Sequence, residues 1–390
     1  MTAHPGTISV ALTVEQLWQP VPGGSGTYIR ALTAALSVRD ELAVTGVRAR
    51  PSRRGDDDPS PLQVDVVASH LPRRALYEAW NKLRRPSVPR TPALRHAGRG
   101  YDVVHATTWA IPPRSAPLVV TIHDVAFLRS PEHFTPRGVS FFQRALDIAR
   151  TEADIVIVPS ETTRLDCLEA GIREDRLQVI HHGTTGVAVS SDDVAQFRRR
   201  HRLEREYVLW CGTLEPRKNL PTLLASFDAA LTSGADLDLV LVGPSGWGGT
   251  SDDVRRLVQA LPADRVHTLG RLDDDDLQLA YAGARVFCFP SLWEGFGMPI
   301  LEAMNHGIPV VTSRGTSMEE VSGDAAILVD PLDVDSMAQA LVEAAGPAHD
   351  RLSAAARPNA ARYTWEASAE KHVTAYHEAA AAWPISRNQL

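Results

Sequence analysis

The 390-residue chain is 44% apolar and 22% charged, and its 40 Lys and Arg against 47 Asp and Glu give a net charge of −7. That balance excludes a disordered or collagen-like chain and disfavours a general nucleic-acid binder, which is usually basic. At roughly 100–200 residues per domain, the length implies two or three domains.

Short β-branched runs recur between helix-compatible stretches. In chain order they are Ile8–Thr13, Ala43–Val47, Val64–Ala68, Asp102–His105, Leu118–Ile122, Ile155–Val158, Leu177–Ile180, Tyr207–Cys211, Leu237–Val242, Arg265–Leu269, Val286–Phe289, Pro309–Thr312 and Ala326–Val329. Apolar runs of this length predict strands of buried parallel sheets, and the alternation predicts right-handed βαβ units. Arg54–Asp58 and Pro59–Pro61 read as a solvated loop. The pattern pauses over Gly183–Glu206, where SSDD and QFRRRHRLERE mark the expected domain junction. Two open α/β domains then imply a central cleft at the carboxyl ends of their strands. Thr364–Trp383 predicts a helix.

Cys167, Cys211 and Cys288 are too few and scattered for a disulfide framework or a zinc site, and they fit a cytoplasmic protein. The start, MTAHPGTISVALTV, lacks a basic region followed by a long apolar core, so no secretion signal is expected. No apolar run approaches the roughly 20 residues of a membrane span.

The chemistry concentrates in the second half. In Val286–Glu302, a strand ends at Pro290, Gly295 and Gly297 bracket a turn, and Pro299 suits the first helical position. The helix N-terminus would face a ligand phosphate. Glu294 and Glu302 suit recognition of hydroxyl groups. The plainer alternative makes Glu302 a helix-dipole partner and Glu294 a surface residue. In Tyr207–Leu220 a strand runs into Gly212, and the following loop presents Arg217 and Lys218. Adjacent cations there fit a departing diphosphate, against the alternative of a solvated pair.

These elements resemble the retaining glycosyltransferases of family 4, which have the GT-B fold of two Rossmann-like α/β domains. The family's E-x7-E reads Glu294…Glu302, and its G-x-x-x-x-R-K-N reads Gly212–Asn219. Leu241–Gly246, Val266–Ala284 and Gly307–Asp333 also match. Looser matches are Pro22–Leu32, Tyr101–Thr108, Val119–Asp124 and Ala153–Thr163, so the likeness spans nearly the whole chain. It implies an acceptor-binding domain over 1–185 and a nucleotide-sugar-binding domain over 186–365. A final helix, 366–390, would cross back to the first domain and couple closure of the two.

The resemblance implies roles residue by residue. Glu302 would hold the donor ribose, and Glu294, Gly295, Phe296 and Gly297 the donor sugar. Arg217 and Lys218, with Gly212, would bind the diphosphate. Gly23, Gly24 and Ser25 would lie beside the diphosphate or acceptor. His123 would contact the transferring sugar with Asp124 beside it, and Gly270 and Arg271 would lie near the base. A lone His is usually structural, but His123 ends a strand. His181 and His182 read as junction residues. Trp109 reads equally as an acceptor wall or as packing.

Asp273–Asp276 and Asp333–Asp335 invite a metal reading, but each precedes a helix, where Asp caps the N-terminus. No metal is expected to be required, although a divalent ion that stimulates stays open. Val242–Gly249 lacks the dinucleotide fingerprint and reads as a phosphate-side or surface turn.

The motif details look most like mannosyltransferases of polysaccharide and glycolipid assembly. The expected activity is transfer of a hexose from a nucleotide-diphosphate sugar, GDP-mannose favoured, to a saccharide or lipid-linked acceptor. UDP-glucose as donor, and a GT-B-fold nucleotide-sugar epimerase, stand as alternatives. Arg73–Arg99 holds eight basic residues against Glu78, with Leu76, Trp80 and Leu83 at helical spacing. Either that helix packs on its own domain, or it lies peripherally on the inner face of the cell membrane.

Overall fold

The computed structural model describes residues 7–51, 62–244 and 250–383, with no side-chain detail at 250–252. The expected loop Arg54–Pro61 and most of the turn after Val242 lie outside the described residues. Contacts divide the chain into two compact units: Met1–Gly183 with Trp365–Leu390, and Thr184–Thr364.

The first unit is built on β1 (Ile8–Thr13), β2 (Leu42–Arg48), β3 (Asp65–Ala68), β4 (Val103–Ala106), β5 (Leu118–Thr121), β6 (Ile155–Val158) and β7 (Leu177–Val179). All pairings are parallel, in the order β3-β2-β1-β4-β5-β6-β7. The second unit holds β8 (Tyr207–Cys211), β9 (Asp238–Val242), β10 (Val266–Gly270), β11 (Val286–Phe289), β12 (Val310–Ser313) and β13 (Ala326–Val329). Its order is β10-β9-β8-β11-β12-β13, again all parallel. Both sheets follow the doubly wound order, and the strand progression across the sheet reverses between β1 and β4 and between β8 and β11. Crevices at those switch points are where such sheets bind ligands.

Central strands read as unbroken apolar runs because helices cover both faces. Val103–Ala106, Ile155–Val158 and Val286–Phe289 are buried at every position. Within Gly183–Glu206 the chain is not an open linker. Ser191–Arg200 is a helix capped by Ser190, and it packs Phe197 into the core of the second unit.

Arg73–Glu78 is helical and continues as a wide turn over Ala79–Leu83. Leu76 and Trp80 are buried in the first unit's core, and the Trp80 indole donates to Pro86 O at 2.9 Å. Leu83 departs from the expected stripe: it is 66% exposed. The segment's apolar side is therefore spent on its own core, and Arg74, Arg85, Arg90 and Arg95 stay exposed. Among the described residues no helix is long and apolar enough to cross a membrane.

Candidate active site

The second unit's switch point gathers the predicted motif residues. After β8 the chain passes Gly212, makes a tight turn over Pro216–Lys218 and enters the helix Leu220–Thr232. Asn219 links turn and helix with a left-handed backbone (φ 55°), a conformation Asn tolerates. Its amide donates to Pro290 O at 3.2 Å and to Pro331 O at 2.6 Å. The Asn of the motif thus bolts the cation loop to the loop after β11. Leu292 N donates to Arg217 O at 2.8 Å, closing the same seam.

Glu294 sits in that seam, 9% exposed. Its Oε2 lies 2.5 Å from Arg217 Nη1 and its Oε1 2.6 Å from Lys218 Nζ. Burial alone would raise the Glu294 carboxyl, but the two cations outweigh it and hold it at about 2. Burial lowers Lys218, against the pull of Glu294. The Lys218 ammonium also lies 4.6 Å from the Phe289 ring centre. Glu215 approaches Arg217 at 3.4 Å, and burial raises its carboxyl. The expected cation pair is therefore neither solvated nor alone: it shares one buried carboxylate.

The helix after β11 is Met298–Asn305, so Pro299 is its second residue, one later than expected. Gly297 caps it at φ 100°, and a Cβ there would meet Met318 Cγ at 3.1 Å, so only glycine fits. Ser317 Oγ donates to Glu294 O at 2.7 Å and fixes the loop from behind. Glu302 points out of the helix's first turns, half-buried, and Tyr281 donates to its Oε2 at 2.9 Å. Burial raises the Glu302 carboxyl. Gly270 ends β10, where Gly243 N donates to its carbonyl at 2.8 Å, and Arg271 beyond it is exposed. Gly243 has φ 142°, and a Cβ there would lie 1.8 Å from Gly212 O. That glycine keeps the ends of β8 and β9 together.

In the first unit, Gly23 and Gly24 are exposed at the start of the helix Gly23–Ser37, with Ser25 next to them. His123 follows β5. Its Nε2 lies 3.0 Å from Thr107 O, which only accepts, so Nε2 carries the proton. Nδ1 then accepts from His182 Nε2 at 3.3 Å. Both ring nitrogens meet protein groups, and burial lowers the imidazole's pKa. A ligand contact from the ring must exchange one of these bonds. Asp124 accepts from Ala126 N at 3.0 Å and caps the next turn. His182 is buried against Tyr28 and Trp365, as a core residue. Trp109 stands edge-on to Phe127 at 5.4 Å, a packing contact.

Behind this edge runs a hydrogen-bonded chain that the sequence did not announce. His372 Nδ1 faces Ser368 O at 2.8 Å and so carries its proton there. Nε2 therefore accepts from the Tyr28 hydroxyl at 2.9 Å. Tyr28 in turn accepts from Thr121 at 3.0 Å, Thr121 from His105 Nε2 at 2.8 Å, and His105 Nδ1 from Tyr376 at 2.8 Å. Each partner fixes the next tautomer. The chain begins and ends on the helix Trp365–Ala382 and holds it to β4, β5 and the helix Gly23–Ser37.

Asp273 and Asp333 cap their helices through Asp276 N and Ser336 N, at 2.8 and 3.0 Å. Among the described residues no group of three or more His, Cys, Asp or Glu is placed to hold a metal ion. A groove of about 350 Å³ lies apart from the motif residues, between Ser191–Arg200 and Asp274–Ala282.

Two parallel-sheet Rossmann-like units, one with a cation-rich switch point, define a glycosyltransferase of the GT-B class. The family description "Glycosyltransferase Family 4" matches residues 22–185 and "Glycosyl transferases group 1" matches residues 205–346. The O-antigen chain mannosyltransferase B of Escherichia coli is 32% identical over 288 residues, covering 70% of this chain and 74% of that protein. The chain belongs to the family 4 glycosyltransferases. The MMP alpha-(1->4)-mannosyltransferase of Mycolicibacterium hassiacum is 28% identical over 92% of this chain and 95% of its own. The Anabaena protein Alr3699/HepE, solved with UDP and glucose, superposes with a TM-score of 0.72 at 20% identity, covering 95% of this chain and 99% of that one. It supports the fold.

Proposed function

We propose that this hexosyltransferase moves mannose from GDP-mannose to a hydroxyl of a saccharide or glycolipid acceptor, with retention at the anomeric carbon. The observation that carries the reading is the buried Arg217–Lys218–Glu294 cluster at the switch point between β8 and β11, with Glu302 on the adjoining helix. The mannosyltransferase relatives support the choice of sugar.

The bond from the anomeric carbon to the diphosphate oxygen breaks, and the acceptor oxygen bonds to that carbon on the same face. The departing phosphate oxygen takes the acceptor's proton, so no enzymic nucleophile is needed. The transition state is oxocarbenium-like, and the charge that develops falls on the diphosphate. Arg217 and Lys218 answer that charge where burial strengthens the interaction. A bound diphosphate competes with Glu294 for them, and a released Glu294 carboxylate accepts from sugar hydroxyls. Gly295, Phe296 and Gly297 frame the sugar, Gly212 lies beside the diphosphate, Glu302 takes the ribose, and Gly270 and Arg271 lie towards the base. Gly23 and Gly24 lie beside the diphosphate or acceptor, and His123 contacts the transferring sugar with Asp124 beside it. Where a lipid surface is met, the exposed Arg74, Arg85, Arg90 and Arg95 meet it by charge.

A panel of GDP-, UDP- and ADP-sugars tests the donor, with NMR of the product's anomeric proton testing the stereochemistry. GDP-mannose consumed fastest, with the α configuration kept, is expected. Preference for UDP-glucose, or an inverted product, overturns that part of the reading. Conversion of the nucleotide sugar without an acceptor to an epimer overturns transfer itself.

A further inference from the structure

Glu302 is anchored from outside the E-x7-E stretch, by a residue of the helix that precedes β11. Tyr281 lies on the helix Asp274–Ala282, and its side chain is fully buried. Its ring is held edge-on by Phe287 at 5.4 Å and runs nearly parallel to His306, 11° apart at 6.4 Å. His306 is fixed in turn by Gln278 at 2.8 Å. A ring clamped on both sides delivers its hydroxyl to one place, and that place is Glu302 Oε2, 2.9 Å away. Cys211, at the end of β8, lies beside the same hydroxyl. Burial pushes that thiol up to about 12, so it stays protonated.

We propose that Tyr281 is a positioning residue for donor binding: it pins one oxygen of Glu302 and leaves the other to accept from the ribose hydroxyls of a nucleoside diphosphate. This rests on the reading of Glu302 as the ribose carboxylate. A carboxylate in a half-buried position has several rotamers, and fixing one before the nucleotide arrives removes an ordering cost from binding. The hydroxyl also favours the ionised carboxylate, which is the form that accepts. It works against burial, the larger influence, and against Asp274, which both raise Glu302. The other ionisable groups at this spot are Tyr281 itself, the His306 imidazole stacked on its ring and lowered by burial, Cys211 and, beyond Cys211, Lys218.

Calorimetric titration of the full chain with GDP and with UDP, from pH 5 to 8, tests the proposal on wild type, Y281F and E302Q. Phe keeps every ring contact, and a melting curve run alongside verifies folding. E302Q supplies the baseline for the nucleotide's own phosphate titration. Relative to that baseline, wild-type affinity is expected to fall as pH drops through the raised Glu302 carboxyl. Y281F is expected to bind about three- to tenfold more weakly at pH 7 and to lose affinity at a higher pH than wild type. Its turnover at saturating donor is expected to match wild type. A Y281F profile that coincides with wild type, or that drops equally at every pH, overturns the positioning role while E302Q still weakens binding. An E302Q protein that binds as wild type overturns the ribose assignment, and the inference with it.

Discussion

The two sheets share one strand order and differ in what they bury at their switch points. Behind the first unit's edge lie Tyr28, His105, Thr121, His372 and Tyr376, a neutral chain in which burial keeps both imidazoles unprotonated. At the second unit's edge two cations close on one buried carboxylate. One topology thus supports two polar solutions. The neutral chain gives rigidity without net charge. The charged cluster holds two cations against one buried carboxylate.

Breaking the charged side has the largest expected effect. R217A/K218A should lower turnover at saturating donor by about 10²–10³-fold or more. It also strands Glu294 in a buried place, so the melting temperature should fall with it. Adding E294Q should restore melting and leave turnover low. Steady-state transfer assays and thermal melts on the two variants check both halves of this.

Acid should break the neutral side first. His372 titrates at about 4 in the folded protein, because burial disfavours its charged form, against an ordinary 6.5. The unfolded chain therefore binds a proton that the folded chain refuses. Stability is complete above about pH 6.5 and is lost as pH falls towards 4, by roughly 3 kcal/mol for this group. Urea unfolding at pH 7, 5.5 and 4.5 measures the slope. His372→Gln keeps an acceptor and a donor but cannot titrate, so it should reduce that slope by its own share and leave the part carried by the other buried imidazoles, His105 and His182.

A smaller effect sharpens the same contrast. Tyr28→Phe leaves the Thr121 hydroxyl and His372 Nε2 without their partner in the core, which should cost about 1–3 kcal/mol in chemical denaturation. The smallest effect concerns the basic segment. Exposed Arg without an apolar stripe predicts binding to anionic vesicles only at low salt, because charges at a surface are screened. Co-sedimentation that persists at high salt would contradict a contact made by charge alone.

The contrast also shows what the sequence could tell. Each expected run became a strand, with ends moved by at most one residue, because apolar runs between turn residues are a local signal. Caps at Asp273 and Asp333 were legible for the same reason. The Glu294 pairing was not: the motif marks the residues, but their mutual contact depends on two loops 76 positions apart meeting at a switch point. His105 and Tyr376 lie 271 positions apart, and nothing in either neighbourhood announces the other. Buried Tyr and His look like ordinary core residues until the tertiary partner is known. Leu83 shows the converse, since helical spacing predicted a stripe and the chain turned before completing it.

In the proposed reading, the Arg217–Lys218–Glu294 cluster recognises the donor diphosphate. Calorimetric titration with GDP and with guanosine, on wild type and on R217A/K218A/E294Q, tests it most directly. Wild type is expected to bind GDP far more tightly than guanosine, and this gap is expected to collapse in the variant. A variant that keeps the wild-type preference for GDP would contradict it.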